Sequence, residues 1–303
     1  MPQYFFIIGA QKGGTTALFE YLRYHPQVYM PPEKEAAFFT EGEPTPESWS
    51  DYCKRFLAHS ELVEAVGTAS PQYMCDASVP ERMAAITPDA KLIAVLRDPI
   101  ARAVSHYKMC RRRGDEQRSF AQAIEEQLKP RAMEAARSLS MHAIAEHDAY
   151  VAWGEYGRIL DNFLAHFPRE QLLILYSEDL REKREETLHR VCNHLGVDPD
   201  YAPPNLDRDF HVGGMKRKIP GLEKTMRSFI VRGLLRLVMS KRKYKSLQLA
   251  LERWNVKSGK LPVPAQTCAM LEAHYDSDTA AVARLTGTQP PWFRYEKTGA
   301  STY

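Results

Sequence analysis

The first residues with a chemistry of their own are Gly9-Ala10-Gln11-Lys12-Gly13-Gly14-Thr15-Thr16, a glycine-bearing turn that follows an apolar run and precedes a helix-like stretch. A turn between a strand and a helix aims free backbone N–H groups and the positive helix end at an anion. Gly9 and Gly14 have the G-x-x-x-x-G spacing of a Walker A loop, but Thr15 stands where a nucleotide triphosphatase carries its lysine. The lysine here is Lys12, at the apex of the loop and two residues before Gly14. From there it would meet a leaving oxygen near a bound phosphate instead of reaching along a β/γ-phosphate chain. Read alone, the same residues also describe an ordinary glycine turn with a solvated lysine.

A second group lies at the end of another apolar run, Leu92-Ile93-Ala94-Val95-Leu96, which stops at the charged turn Arg97-Asp98-Pro99. Arg97 has the fork geometry that suits an anion, and Ser105, two turns into the next helix, adds a hydroxyl donor. Ligands of open α/β sheets bind beyond the carboxyl ends of strands, where this segment and the Lys12 loop both emerge. A lone arginine there would equally serve to pair with Asp98.

The elements that must position these groups follow from periodicity. Four β-rich segments each precede a helix-like stretch: residues 4–8 then 15–24, 64–67 then 79–86, 91–96 then 100–112, and 172–176 then 183–195. Alternation of this kind predicts a parallel sheet, and the continuous apolar runs predict strands covered by helices on both faces. Residues 117–167 read as an inserted helical region in which Tyr150, Trp153, Tyr156, Ile159, Leu160 and Phe163 recur at helical spacing, a stripe best read as core packing. Beyond Pro199 the rhythm stops, and a final helix is expected around residues 265–285. No internal repeat or low-complexity tract is present.

With these residues in place, the run from Gly9 to Leu18, then Leu22, His25-Pro26 and Lys34-Glu35-Ala36-Ala37-Phe38-Phe39, resembles the opening of the PAPS-dependent sulfotransferases. The heparan-sulfate sulfotransferase-like branch and its bacterial relatives are the most similar. PAPS is 3′-phosphoadenosine 5′-phosphosulfate. The resemblance implies a P-loop-like three-layer α/β fold with a central parallel sheet, and a single domain over residues 1–303. It also implies that Lys12, Gly13, Gly14, Thr15 and Thr16 bind the 5′-phosphosulfate. The family pattern R-D-P followed by x-x-R-x-x-S-x-Y is matched by Arg97, Asp98, Pro99, Arg102, Ser105 and Tyr107, which makes Arg97 and Ser105 the 3′-phosphate anchors. Sulfuryl transfer is an in-line displacement in which positioning and charge stabilisation supply most of the rate.

In heparan-sulfate-type enzymes the acidic residue at the place of Glu35 acts as general base, so Glu35 and Lys12 are the implied catalytic pair, with Glu33 as the other carboxylate. A histidine base is less supported, because His25, His59 and His106 are isolated; His106, beside Ser105, is expected to flank the donor. Two departures stand out. The segment Gly67-Thr68-Ala69-Ser70-Pro71-Gln72-Tyr73 lacks the lysine that many relatives carry there. The loop that usually closes over the 3′-phosphate has only a loose counterpart in Gly213-Gly214-Met215-Lys216-Arg217-Lys218. A P-loop kinase or NTPase is disfavoured by Thr15 in the lysine position and by the lack of a clear strand-end Asp for Mg²⁺. The implied chemistry needs no metal.

Composition bounds the partners. The 303 residues include 41 Lys+Arg and 38 Asp+Glu, with 44% hydrophobic content, the profile of a globular protein. No apolar run approaches the roughly 18 residues needed to span a bilayer. Five cysteines (53, 75, 110, 192 and 268) are scattered singly, which points to reduced thiols in a cytoplasmic protein and against a disulfide framework or zinc site. The net charge of +3 is unevenly spread: residues 221–260 hold eleven Lys/Arg against two Glu, a local +9 that leaves −6 for the rest. That acidic remainder argues against a nucleic-acid binder. The basic segment also carries an apolar stripe (Leu222, Met226, Phe229, Ile230, Leu234, Leu237) and reads as an amphipathic helical insertion. It serves as a solvated face, as a membrane-surface contact, or as a dock for an acidic partner such as a carrier protein or an anionic glycan bearing the acceptor hydroxyl. The dock is the reading adopted.

Overall fold

A computed structural model of the chain describes residues 2–57, 63–208, 210 and 261–293, together with the backbone of residues 216–217 and 256–257. In order, the elements are β1 (Gln3–Gly9), α1 (Thr15–Leu22), β2 (Val28–Tyr29), α2 (Pro46–Phe56), β3 (Ala65–Ala69), α3 (Val79–Ile86), β4 (Lys91–Leu96) and α4 (Pro99–Arg113). They continue with α5 (Phe120–Gln127), α6 (Pro130–Ser138), α7 (Tyr156–Leu164), β5 (Leu172–Tyr176), α8 (Ser177–Glu182) and α9 (Arg184–Leu195). A two-residue pair, β6 (Lys216–Arg217) and β7 (Val256–Lys257), and the long α10 (Ala265–Thr286) follow.

The five strands β2-β3-β1-β4-β5 form one sheet, in that order, and every pairing in it is parallel. Side chains alternate across it as the pleat requires. Phe5 and Ile7 of β1 pack on the side of α1 and α9 with Leu18, Leu22, Leu188 and Val191. Phe6 and Ile8 pack on the other side with Met83 of α3, Leu160 of α7 and Val282 of α10. All four β1 residues are no more than 2% exposed, so each contributes about 1.5–3 kcal/mol of apolar burial. The molecule is therefore the expected three-layer α/β fold with a central parallel sheet flanked by helices. The strand expected at 64–67 runs to Ala69, and the edge strand β2 is an addition.

Residues 150–163 do not form one helix. A 3-10 turn over Ala152–Gly154 breaks the stretch before α7 begins at Tyr156. Gly154 lets α10 dock closely there, since a Cβ on it would stand 2.6 Å from the Tyr275 hydroxyl. The stripe is core all the same: Tyr150, Trp153, Tyr156, Ile159, Leu160 and Phe163 are all buried. Residues 221–260, apart from the backbone of 256–257, and Lys218 lie outside the described residues. All five cysteines are free thiols. Among the described residues no helix is long and apolar enough to cross a membrane.

Candidate active site

The loop between β1 and α1 is built by close backbone packing against the end of β4. Ala10 N–H donates to the Val95 carbonyl at 2.9 Å, and Gly13 N–H turns back to the Ala10 carbonyl at 2.8 Å. A Cβ on Gly13 would collide with the Val95 carbonyl oxygen, so only glycine lets the loop lie this close. Gly14, at φ 110°, caps α1 in the left-handed region that glycine adopts without strain. Beyond it, Ala17 N–H turns back to the Gly14 carbonyl at 3.0 Å, and Thr15 and Thr16 at the head of α1 line the cleft. Lys12 holds φ 69°, an uncommon backbone conformation for a side-chain-bearing residue at the loop apex.

The second anchor comes from β4 and α4. Asp98 caps α4 by accepting from Ile100 N–H at 2.9 Å, and Pro99 starts the helix. This fixes Arg97 at the strand end and Ser105 on the helix face above it. Lys12, Gly13, Gly14, Thr15, Thr16, Arg97, Ser105 and Glu35 all line one cleft of about 390 Å³. Arg102 and Tyr107 of the same motif do not line it. Arg102 is fully buried and donates to the Tyr150 carbonyl, while the Tyr107 hydroxyl donates to the Arg118 carbonyl at 2.8 Å. These two motif residues hold α4 against the region that follows it. Lys216 and Arg217 are described only as backbone paired with Val256–Lys257, and Lys218 is not described.

Glu35 enters from the opposite wall, at the head of an anchored segment. The Tyr52 hydroxyl donates to the Ala36 carbonyl at 2.6 Å, Phe38 N–H donates to the Tyr73 oxygen at 2.9 Å, and Phe39 is buried against Phe6 and Trp49. The Glu35 side chain itself is 51% exposed, within reach of an incoming molecule. Its carboxylate accepts from Gln72 Nε2 at 3.0 Å and lies 3.2 Å from Lys34 Nζ. Glu33 is not among the residues lining the cleft.

Positive charge dominates the cleft, and Lys12 registers it. Burial, joined by Arg112, Arg113 and Arg97, pushes its ammonium down to about 8. Thr68 and Ala69 are buried at the end of β3 and do not line the cleft. Cations reach the cleft from elsewhere instead: Lys34, Arg112, Arg113 and Arg181 all line it. Sequence reasoning did not single out these four, nor Gln11, Gln72 or Glu146. The basic run Arg111-Arg112-Arg113 at the end of α4 was the available signal.

His25 and His106 fall away as bases, and His59 lies outside the described residues. His25 is buried, with Nε2 2.8 Å from the Asp198 carbonyl and Nδ1 accepting from Gln27 N–H. His106 lies beneath the cleft instead of flanking it: it is fully buried, stacked on Trp153 at 5.3 Å, and pushed down to about 4 chiefly by burial. His106, Cys110 and Glu146 bring three donor atoms within 4.8 Å of one another. Arg113 and Gln11 already occupy the Glu146 carboxylate, and Arg102 and Lys12 add positive charge around His106, so the surroundings disfavour a cation there.

The model of the sulfotransferase domain family matches residues 2–211. Heparan sulfate glucosamine 3-O-sulfotransferase 3B1 of Mus musculus is 33% identical over 192 residues, covering 63% of this chain and 45% of the relative. Bifunctional heparan sulfate N-deacetylase/N-sulfotransferase 3 of Homo sapiens is 31% identical over 220 residues, covering 69% of this chain and 24% of the relative. The chain thus spans less than half the length of these curated relatives. A sulfotransferase structure from Alicyclobacillus acidocaldarius superposes with a TM-score of 0.64 over 96% of this chain and 97% of that one, at 24% identity, a likeness of fold. With the family model covering more than half of its residues, the chain belongs to the sulfotransferase domain family.

Proposed function

We propose that this chain transfers the sulfuryl group of PAPS to a hydroxyl acceptor by in-line displacement, without a metal ion. One observation carries the reading: the Lys12 loop, the Arg97–Ser105 pair and Glu35 line the same cleft from different walls. In this reading the loop amides and the Thr15 and Thr16 hydroxyls hold the 5′-phosphosulfate, and Arg97 and Ser105 hold the 3′-phosphate. Lys216, Arg217 and Lys218 are assigned to the same phosphate. Glu35 takes the acceptor proton as the new oxygen–sulfur bond forms. The bond from sulfur to the bridging phosphate oxygen breaks, and Lys12 stabilises the charge that collects on that oxygen. Adenosine 3′,5′-bisphosphate leaves as product.

The whole of residues 1–303 is read as one domain, with 117–167 and 221–260 as insertions. Five free thiols support a reducing, cytoplasmic setting. The acceptor is a glycan or a carrier-bound or small hydroxyl compound, and the +9 segment at 221–260 is its dock. Charge reversal at Lys241, Arg242 and Lys243 is expected to raise the acceptor KM with little change in donor binding; unchanged acceptor kinetics would refute the dock. The reaction itself is tested by incubating the protein with radiolabelled PAPS and a panel of hydroxyl acceptors in the presence of a chelator. Labelled product that disappears in Lys12→Ala supports the assignment. Full transfer by Lys12→Ala removes Lys12 from the chemistry.

A further inference from the structure

Glu146 is an acid in a cleft built for anions. It lines the cleft beside Gln11, Lys12, Arg112 and Arg113, yet it belongs to neither the phosphate loop nor α4. A carboxylate there repels an anionic ligand, so its presence calls for a compensating role. Its contacts supply one. Gln11 Nε2 donates to Glu146 Oε2 at 3.3 Å, and Arg113 Nη1 donates to both carboxylate oxygens at 3.1 Å. His106 Nε2 stands 3.6 Å away on a ring fixed flat against Trp153. Gln11 Oε1 is buried without a partner, so the bond to Glu146 fixes this side chain next to the apex residue Lys12.

The carboxylate is held on a firm post. Glu146 opens a 3-10 turn, Glu146–Asp148. Arg118 Nη2 donates to Asp148 Oδ1 at 2.9 Å and to the His147 carbonyl at 2.8 Å, and Gln127 Nε2 donates to the same carbonyl at 2.9 Å. Arg118 is itself tied to Glu116 and Glu126. The region after α4 thereby reaches back into the cleft and grips the phosphate loop.

We propose that Glu146 is a positioning residue of the donor site, anchoring Gln11 and Arg113 so that the Lys12 loop and the end of α4 keep the geometry that turnover needs. This rests on the sulfotransferase reading above. Lys12 occupies a sparsely populated backbone region, which persists only where the surroundings hold it. Small displacements of a group that acts on the reacting centre cost far more in turnover than in binding.

The charge of Glu146 separates this role from a merely structural one. Removing it relieves repulsion of the donor while loosening the loop, so binding and turnover should move apart. In Glu146→Gln the dissociation constant of adenosine 3′,5′-bisphosphate, measured by calorimetry, is expected to stay within twofold or to tighten. Over the same substitution kcat falls about 10- to 100-fold. Gln11→Ala is expected to lower kcat similarly, and Glu146→Ala/Gln11→Ala no further than the worse single variant, because both remove one link. The proposal is overturned by kcat within threefold of the parent in Glu146→Gln, by bisphosphate binding lost in step with kcat, or by multiplicative effects in the double variant. A parent protein that does not bind the bisphosphate would instead overturn the donor-site reading, and this inference with it.

Discussion

Lys12 Nζ lies 4.0 Å from Met109 Sδ, so the apex cation of the phosphate loop rests on the same helix that carries Ser105, Arg112 and Arg113. A soft thioether gives an ammonium little compensation for the water it has lost, and the neighbouring arginines oppose its charge. This arrangement holds a lysine poised to accept an anion.

The first prediction follows from the sign of that shift. Only the ammonium form attracts the donor, and in the free protein it is held down to about 8 chiefly by burial. Bisphosphate affinity should be flat between about pH 7 and 8 and fall above that by up to about tenfold per pH unit, with proton uptake on binding near pH 8.5. Calorimetry in two buffers of different ionisation enthalpy reads both effects. Affinity that is constant from pH 7 to 9.5 would assign the contact to another cation. For folding, the unfolded chain binds the extra proton between about 8 and the ordinary 10.5, so stability from this group rises with pH across that window.

Glu35 is exposed and held by Gln72 and Lys34. Glu35→Gln should cut turnover about 10²- to 10⁴-fold, the range of a positioned base, while bisphosphate binding stays within threefold. Gln72→Ala should lower kcat less, since it removes an orienting bond and leaves the base. A Glu35→Gln protein of ordinary activity would remove Glu35 from the mechanism.

Glu155 ties the C-terminal helix to the body. It is buried and accepts from Arg137 at 2.9 and 2.5 Å and from Arg158 at 2.7 Å, and it lies 2.9 Å from His274 Nε2 of α10. Burial alone would raise its carboxyl, but the bonds to His274, Arg137 and Arg158 win and hold it down to about 2. Its contribution is therefore present above about pH 4.5 and lost as pH falls toward 2. Glu155→Ala should destabilise by about 2–4 kcal/mol in denaturant titration at pH 7, and the gap between variant and parent should shrink at pH 3. A gap independent of pH would contradict the ionic account.

The parts of this molecule that were legible in the sequence are those written in contiguous residues. β4 and β5 were readable to the residue, because apolar runs bounded by charge or turn residues leave little choice of ends. The two-residue β2 was not, since Val28–Tyr29 is too short to show a period. α2 was missed although Thr45 and Ser48 form a capping box ahead of its apolar face, with Pro46 starting the helix. The close approach of Tyr275 to Gly154 joins residues far apart in the chain, and no local pattern announces it. In the site, the loop and the Arg97–Ser105 pair were visible as motifs. Gln72, Arg113, Glu146 and Arg181 act by converging from separate elements, and convergence is a property of the fold alone.

The most direct test of the central claim is titration of adenosine 3′,5′-bisphosphate into the intact protein, with EDTA present and ATP as the control. The account predicts saturable one-to-one binding that needs no divalent metal, weaker binding of ATP, and a loss of at least tenfold in affinity for Arg97→Ala, which removes a charge-assisted contact of about 1.5–3 kcal/mol. No binding of the bisphosphate, or tight binding of ATP that depends on Mg²⁺, would contradict it.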